Sequence, residues 1–413
     1  MAVDVPRSLF VSQKGDRVLA FSQDTGMCVV VNAAGRDVLD LLVSKGLLGE
    51  SAATPNAQET SSSSVDGLSA VYLHLTNRCN LSCAYCYNAG YRRDRDARDE
   101  LTAREIRDCL DAVSAAGATQ VVFTGGEPLL RPDCLDLAQY ARGLGLETSL
   151  LTNGTRVRGR AARIASVFSP VIVSLDSWRP EEHERLRGKG SFAVIVDGIR
   201  ELADAGAALY LRAVVTCENV RSLPEFPCYA ASHLGCTNFM LAPCIPTSLE
   251  HAAGLTLTPA PNEYLSALDA FHRVLEEVGG TSNYDTEAFR SDGNCGAGCN
   301  ILSISADGDV FPCQCLHRAE LCAGNVRKMP LDRILQRAAT APDVCRRSAA
   351  EFRACAECPV SRLCGLKCWA LLAGFRGDEE AFIERLCPMA HAEIEHRLWK
   401  QAGRILSEQP AGS

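Results

Sequence analysis

The feature that most constrains the fold of this chain is an alternation of short β-rich runs with helical segments between residues 70 and 241. The first helical segment opens with Thr102-x-x-Glu105, a capping-box signal. Consecutive βα units predict a parallel sheet, because each connection must cross the sheet face in the right-handed sense. We therefore predict an α/β fold, a partial (β/α)6 barrel, with strands at 70–75, 120–124, 147–151, 170–175, 208–215 and 237–241.

Composition limits the functions open to such a chain. Its 413 residues include 21 cysteines, although a protein of this size does not need disulfides for stability. The net charge of -8 comes from interspersed acids and bases, which predicts neither a nucleic-acid nor a membrane partner. The start of the chain lacks the pattern of an export signal, so we expect a cytoplasmic protein. Thiols stay reduced there, and clustered cysteines then favour metal or iron–sulfur ligation.

The regions outside the alternating core differ from it in composition. The N-terminal region contains three short β-rich runs, at 8–11, 17–21 and 28–32. A turn at 24–26 separates the last two, and a helical stretch follows at 36–43. The last region is rich in cysteine and glycine and closes with an amphipathic helical segment at 379–406. We predict a small β-rich cap at 1–47, a flexible linker at 48–67, the barrel at 68–285 and a cysteine-rich domain at 286–413.

Three cysteines lie on one loop directly after the first predicted strand, in the pattern Cys79-x3-Cys83-x2-Cys86. Three thiolates on one tight loop can hold three irons of a cubane, which leaves the fourth iron open to another ligand. A structural zinc site is the alternative, but it needs four closed ligands, usually from paired Cys-x2-Cys units. Ligands collect at the carboxyl ends of parallel strands, so this loop predicts the functional site.

This loop resembles the cluster motif of the radical S-adenosylmethionine (SAM) superfamily, and Gly125-Gly126-Glu127-Pro128 after the second strand resembles its GGEP motif. The resemblance implies that SAM chelates the open iron of a 4Fe–4S cluster and is split there into methionine and a 5′-deoxyadenosyl radical. That radical would abstract hydrogen from the substrate. The implied SAM contacts are Tyr85, Gly125, Gly126, Glu127, Asn153, Ser174, Asp176, Arg212 and Leu241.

Some of these residues have simpler explanations. An arginine on a strand, such as Arg212, is as often part of a surface salt bridge, and Leu241 fits plain core packing equally well. Asp176 and His317 could act as bases in another chemistry. Neither position is diagnostic, and we expect both side chains to be solvated.

The cysteines of the last region resemble the SPASM extension of the same superfamily, which carries two auxiliary 4Fe–4S clusters. The implied ligands are Cys355, Cys358, Cys364 and Cys387 for one cluster, and Cys295, Cys299, Cys313 and Cys368 for the other. Cys315 and Cys322 are alternatives to Cys299. The spacings from Cys358 to Cys368 alone also fit structural zinc. The resemblance implies three 4Fe–4S clusters in all, of which the auxiliary pair would carry electrons.

SPASM-type relatives mostly modify peptides, so the resemblance implies a ribosomally made precursor peptide as substrate. The product would carry a thioether, carbon–carbon or ether cross-link, or an oxidised side chain, and flavodoxin or ferredoxin would be the reductant. The cap at 1–47 resembles the start of leader-binding domains but is shorter, and a capping hairpin explains it as well.

Three alternative functions stay open. Anaerobic sulfatase maturases, which form formylglycine, typically carry Asp after the cysteine that corresponds to Cys313, whereas this chain has Gln314. A small-molecule substrate is the second alternative. The third is a non-catalytic iron–sulfur protein that binds partners or carries electrons.

Overall fold

The computed structural model describes residues 9–22, 27–32, 68–89, 99–245, 256–283, 296–340, 355, 357–361, 363–364, 368–375 and 377–408. The predicted turn at 24–26, helix at 36–43 and linker at 48–67 lie outside these residues. The chain divides into two compact units. The larger unit contains the described residues from 68 to 340, and the smaller contains those from 9 to 32 and from 355 onward.

Three strands at the N-terminus form an antiparallel sheet: β1 (Leu9–Lys14), β2 (Arg17–Ser22) and β3 (Cys28–Asn32). All three predicted strands are confirmed, and β1 extends beyond the predicted end at residue 11. Side chains alternate between the faces of a strand, and both faces here are apolar. Leu19 and Phe21 belong to one buried cluster, whereas Leu9, Val18 and Ala20 belong to another.

A parallel sheet forms the core of the larger unit. All six predicted strands are confirmed: β4 (Ala70–His74), β5 (Gln120–Thr124), β6 (Glu147–Thr152), β7 (Val171–Ser174), β8 (Leu209–Val215) and β9 (Asn238–Pro243). Each pairs in parallel with the next along the chain, as the βα alternation predicted. The sheet has the α/β order of a partial barrel.

Helices connect the strands of this sheet. They are α1 (Ala103–Ala115), α2 (Cys134–Gly143), α3 (Ala161–Val167), α4 (Pro180–Arg187), α5 (Ser191–Asp204) and α6 (Phe226–Leu234). The capping box at the start of α1 is confirmed. The Thr102 hydroxyl accepts a hydrogen bond from the Glu105 N–H, and the Glu105 carboxylate accepts one from the Thr102 N–H. A longer helix, α7 (Pro261–Glu277), then leads to β10 (Thr281–Ser282), which pairs in parallel with β9.

The cysteine-rich region extends the barrel sheet on its other side. It contributes β11 (Ile301–Ile304), β12 (Asp309–Phe311), β13 (Gly324–Asn325) and α8 (Leu331–Thr340). β11 pairs in parallel with β4, and β12 and β13 follow in antiparallel order. The strand that precedes the cysteine loop is therefore an interior strand of a ten-stranded sheet.

The smaller unit also contains the end of the chain, with α9 (Trp369–Gly374) and α10 (Glu379–Glu408). The long terminal helix confirms the amphipathic segment predicted at 379–406. Ile394 and Leu398 on α10 pack against Leu19 and Phe21 of the N-terminal sheet. The indole Nε1 of Trp399 donates a hydrogen bond of 2.9 Å to Ser12 Oγ on β1.

Candidate active site

The three-cysteine loop leaves the barrel at the carboxyl end of β4. Cys79, Cys83 and Cys86 have partly exposed side chains. The loop turns back on itself, because the Cys86 N–H donates to the Cys83 carbonyl. The Ala84 N–H donates to the carbonyl of Leu186 in α4 at 2.8 Å, which ties the loop to that helix.

The two glycines after β5 pack directly on the backbone that leads into this loop. A Cβ on Gly126 would lie 2.0 Å from the Arg78 carbonyl oxygen, and one on Gly125, where φ is +128°, would lie 2.5 Å from the Thr76 carbonyl oxygen. The Gly126 N–H donates to the Thr76 carbonyl at 2.7 Å. These glycines therefore let two backbone segments approach where no side chain fits. Their predicted contact with SAM stays a prediction.

Glu127 closes the glycine turn and is fully buried. Its carboxylate accepts hydrogen bonds from the Leu129 N–H at 3.0 Å, the Thr152 hydroxyl at 2.8 Å and the Asn153 N–H at 2.7 Å. Burial raises the pKa of this carboxyl, and these hydrogen bonds act in the opposite direction. Glu127 thus holds the ends of β5 and β6 together, and its predicted bond to the SAM ammonium stays a prediction.

Asn153 brings the end of β6 to the cysteine loop. Its amide nitrogen lies 3.0 Å from the Asn80 side-chain oxygen and 3.8 Å from Cys79 Sγ. Its side-chain oxygen accepts from the Thr155 N–H at 2.9 Å, which fixes the direction of the amide. The side chain can therefore present an N–H to the Cys79 sulfur.

Asp176 follows β7 and forms a buried ion pair with Arg187, the last residue of α4. Arg187 Nε lies 2.6 Å from Asp176 Oδ2 and Nη2 lies 3.1 Å from Oδ1. The same carboxylate accepts from the Tyr85 hydroxyl and from the Val214 N–H. Arg187 Nη1 lies 4.0 Å from Cys83 Sγ, so the pair also reaches the cysteine loop.

The expectation that Asp176 is solvated is wrong, whereas His317 is partly exposed. Asp176 is only 1% exposed, because the sheet and α4 enclose it. His317 stacks on Phe311 with ring centroids 4.5 Å apart and on His74 at 4.4 Å. Its Nε2 lies 2.8 Å from the Ser303 hydroxyl. Asp176 is therefore enclosed by the barrel, and His317 packs on Phe311 and His74 with part of its surface exposed.

The remaining predicted SAM contacts lie on the later strands. Ser174 on β7 and Arg212 on β8 are paired positions in the sheet and therefore neighbours. Leu241 on β9 is 4% exposed, and its backbone N–H donates to the Asn283 side chain at 2.8 Å. The roles of these three residues in SAM binding stay predictions.

A second group of thiols, Cys313 and Cys315, lies near Tyr72 on β4. Burial and the Cys313 thiol raise the pKa of Tyr72 on β4, while Arg212 lowers it and Cys315 raises it further. A hydrogen bond from the Cys315 side chain lowers the pKa of Cys313 to about 7. Tyr87, just beyond the cysteine loop, is 42% exposed. Cysteines 313 and 315 of the cysteine-rich region thus share one environment with the barrel strands.

The predicted ligands of one auxiliary cluster are only partly described. The Gly298 N–H donates to the Pro312 carbonyl at 2.9 Å, which brings the segments around Cys299 and Cys313 together. Cys295 lies outside the described residues, and Cys368 belongs to the smaller unit. The Cys322 thiol donates to the Gly324 carbonyl. The choice of Cys299 as fourth ligand stays a prediction.

The four predicted ligands of the other auxiliary cluster lie near one another in the smaller unit. Burial raises the pKa of Cys355 to about 11, and the thiols of Cys364 and Cys358 add to the rise. Burial and these same three thiols raise the pKa of Cys387 to about 12. His391, one turn after Cys387 on α10, places Nε2 3.5 Å from Cys358 Sγ.

Two polar residues of these sites were not predicted from the sequence. Arg187 has the same local context as Arg179 and Arg185, two other arginines next to or within α4. His391 follows Cys387 by four positions, and that helical spacing is a signal that could have identified it.

The hydrogen-bond donors around the barrel loop suit an iron–sulfur cluster. Among the described residues, no three His, Cys, Asp or Glu side chains converge at the distances of one metal ion. A cubane holds its thiolate sulfurs further apart, because each bonds a different iron. At the barrel loop, Asn153 and Arg187 direct N–H groups toward the Cys79 and Cys83 sulfurs. Such hydrogen bonds stabilise cluster sulfurs, so the residues present fit a cluster here.

The fold and site define an iron–sulfur protein built on a parallel α/β barrel with a cysteine-rich extension. The chain matches the radical SAM superfamily over residues 73–226 and the SPASM iron–sulfur cluster-binding domain over residues 295–359. It is 32% identical to the mycofactocin maturase MftC of Mycobacterium ulcerans over 262 residues, which are 61% of this chain and 70% of that protein. The chain belongs to the radical SAM superfamily and carries a SPASM domain. Its cofactors are accordingly a 4Fe–4S cluster with SAM in the barrel and auxiliary iron–sulfur clusters in the SPASM domain.

Two other relatives are a second mycofactocin maturase and a heme synthase. The MftC of Mycobacterium tuberculosis is 31% identical over 262 residues, and the match spans 66% of its length, just under two thirds. An AdoMet-dependent heme synthase of Oleidesulfovibrio alaskensis is 27% identical over 332 residues, 70% of this chain and 80% of that enzyme.

Two solved structures have the same fold. Streptococcus suis SuiB bound to its precursor peptide SuiA has a TM-score of 0.61 at 14% identity, covering 89% of this chain and 96% of SuiB. The anSMEcpe structure with AdoMet and the Cp18Cys peptide has a TM-score of 0.63 at 17% identity, covering 81% of this chain and 99% of that one. In the part of the chain that the structure describes, no helix is long and apolar enough to span a membrane.

Proposed function

We propose that this chain is a peptide maturase. It would remove hydrogen from a ribosomally made precursor peptide and leave an oxidised side chain or a cross-link. The observation that carries the proposal is the pairing of β11 with β4, which builds the SPASM region into the sheet beside the cluster-bearing loop. The similarity to mycofactocin maturases supports a peptide as the substrate class.

When bound, the barrel cluster and SAM supply a radical that takes a hydrogen atom from carbon, and the auxiliary clusters supply an acceptor for the electron that leaves the substrate. The protein itself holds these reactants in place. Cys79, Cys83 and Cys86 provide thiolates, and Glu127 fixes the strand ends around them. Because such a radical reacts with nearby C–H and S–H bonds, the site must hold one target C–H bond close to it.

The test uses anaerobically reconstituted full-length protein with SAM, reduced flavodoxin and the short peptides encoded beside its gene. We expect 5′-deoxyadenosine together with a peptide whose mass has fallen by two hydrogen atoms. Cys83→Ala should abolish both products. Cys228→Ala, which removes an exposed thiol on α6, should keep both.

The outcomes separate the parts of the proposal. Without 5′-deoxyadenosine from the reduced wild-type protein, the chain would be an electron carrier or a binding protein. If 5′-deoxyadenosine forms but no peptide changes mass, the peptide assignment fails and the enzyme assignment remains.

A small-molecule substrate is the second candidate. The match to the heme synthase covers 70% of this chain, more than the 61% covered by the mycofactocin maturases. Incubation of the same reduced protein with iron porphyrin in place of peptide tests this candidate directly. A change in the porphyrin mass with no change in any peptide would favour it.

A further inference from the structure

Arg187 is an arginine that the fold buries beside the cysteine loop. It is 6% exposed, although it ends the polar helix α4, whose Arg185 side chain is 55% exposed. Burial of a guanidinium is costly unless the charge is paired and hydrogen-bonded. Asp176 provides that pairing through two hydrogen bonds, with Nε and Nη2 of the guanidinium.

Asp176 has no acceptor position left for another ligand. An ionised carboxylate offers about four lone-pair positions. Two are taken by Arg187, one by the Tyr85 hydroxyl and one by the Val214 N–H. A ribose hydroxyl would have to displace one of these buried donors and leave it unsatisfied, which is unfavourable.

Two further contacts of Arg187 lie on the cysteine loop. Its Cζ lies 5.6 Å from the ring centroid of Tyr85, and its Nη1 lies 4.0 Å from Cys83 Sγ. Between them, the Ala84 N–H donates to the Leu186 carbonyl at 2.8 Å. Three successive loop residues, from 83 to 85, are thus held by the end of α4 and its buried ion pair.

We propose that Arg187 is a positioning residue for the barrel cluster, which fixes the Cys83–Tyr85 segment and raises the reduction potential of the cluster by placing a positive charge beside the Cys83 ligand. In this arrangement the Asp176 carboxylate holds Arg187 and Tyr85 at the cysteine loop and does not bind the nucleoside of SAM. The inference rests on the family assignment and not on the identity of the substrate.

The sign of the effect follows from electrostatics. Reduction adds one electron to the cluster and makes it more negative. A fixed guanidinium in a buried site, where screening is weak, stabilises the reduced form more than the oxidised form. Loss of that charge should therefore make the reduction potential more negative.

The experiment is a redox titration of the reconstituted full-length protein without SAM. The quantity monitored is the paramagnetic signal of the reduced barrel cluster. We expect Arg187→Met to lower the equilibrium constant for reduction at least tenfold, which for one electron is about 59 mV. Arg187→Lys keeps the charge and should recover most of the shift. Arg185→Met removes an equal charge from the exposed face of the same helix and should leave the potential unchanged.

Asp176→Asn keeps the proposal testable if Arg187→Met fails to load its cluster. The amide removes the negative charge beside Arg187, so the potential should rise. Its NH2 group cannot accept from the two donors that faced one carboxylate oxygen, so the potential is compared with that of wild type at equal iron content. An Arg187→Met protein with full iron content and the potential of Arg185→Met would overturn the proposal. So would an Asp176→Asn protein with full iron content and an unchanged potential.

Discussion

Gly126 and Arg78 approach so closely that a Cβ on the glycine would lie 2.0 Å from the arginine carbonyl oxygen. Arg78 directly precedes the first cysteine of the loop, and the Glu127 N–H donates to that same carbonyl at 2.8 Å. The glycine turn after β5 is therefore part of the support of the cysteine loop, whatever it also contributes to SAM binding.

Gly126→Ala should displace the cysteine loop. The obstructing atom belongs to the backbone and cannot rotate away, and overpacking of this kind costs roughly 1–3 kcal/mol. We expect a lower thermal midpoint and loss of the barrel cluster, measured as iron content and as the signal that responds to SAM. Gly143→Ala is the matched control, because nothing lies within 4 Å of its Cβ position. Equal iron content in both variants would contradict this role.

The ion pair between Glu105 and Arg327 should make stability depend on pH in acid. Hydrogen bonds from Arg327 lower the pKa of Glu105 from 4.5 to about 2. Because the folded-state pKa is below the unfolded value, the contribution is fully present above pH 4.5 and is lost as the pH falls toward 2. Both side chains are about one third exposed, so screening limits the contribution to less than about 1 kcal/mol.

The measurement is the difference in thermal midpoint between wild type and Glu105→Gln at a series of pH values. The two proteins differ at one carboxyl group, so acid damage to the rest of the molecule cancels. We expect a constant difference from pH 7 to about pH 5 that shrinks below pH 4.5. A difference that stays constant down to pH 3 would argue against the pair.

His391 should raise the reduction potential of the auxiliary cluster whose predicted ligands are Cys355, Cys358, Cys364 and Cys387. Burial lowers the pKa of this imidazole, so it is neutral at pH 7 and can donate one N–H to the Cys358 sulfur 3.5 Å away. Hydrogen bonds to cluster sulfurs raise the reduction potential. His391→Leu should therefore make the potential of that cluster more negative.

The control variants for His391 separate the hydrogen bond from packing. His391→Gln keeps a donor N–H and should restore part of the potential, whereas His396→Gln, later in the same helix, should have no effect. The proposal of a hydrogen bond fails if the Leu and Gln variants at position 391 shift the potential equally.

The barrel strands were predictable because buried parallel strands are nearly continuous apolar runs, as in Gln120–Thr124 and Val171–Ser174. The capping box at Thr102 was predictable because it depends on residues three positions apart. The pairing of β11 with β4 was not, since its partners are far apart in sequence and β11 has only four residues.

The polar contacts around the cysteine loop were the hardest to predict. The cysteine spacing is a local pattern, but Arg187 is distinguished from Arg185 only by the direction in which α4 presents each side chain. Asp176 was expected to be solvated for the same reason: the sequence after a strand does not show that a helix end will cover it.

The N-terminal sheet should stabilise the predicted ligands of the auxiliary cluster in the smaller unit. Leu19 on β2 is fully buried, and the apolar cluster that contains it also contacts Cys358 and Cys364. Leu19→Ala leaves a cavity at the contact with α10, at a cost of roughly 2–5 kcal/mol. We expect faster hydrogen exchange in α10 and partial loss of the auxiliary cluster, with the SAM-dependent signal of the barrel cluster unchanged. Val11→Ala, on a 39% exposed side chain of β1, should change neither quantity. If Leu19→Ala retained full auxiliary iron despite a lower thermal midpoint, the sheet would support the helix alone and not the cluster ligands.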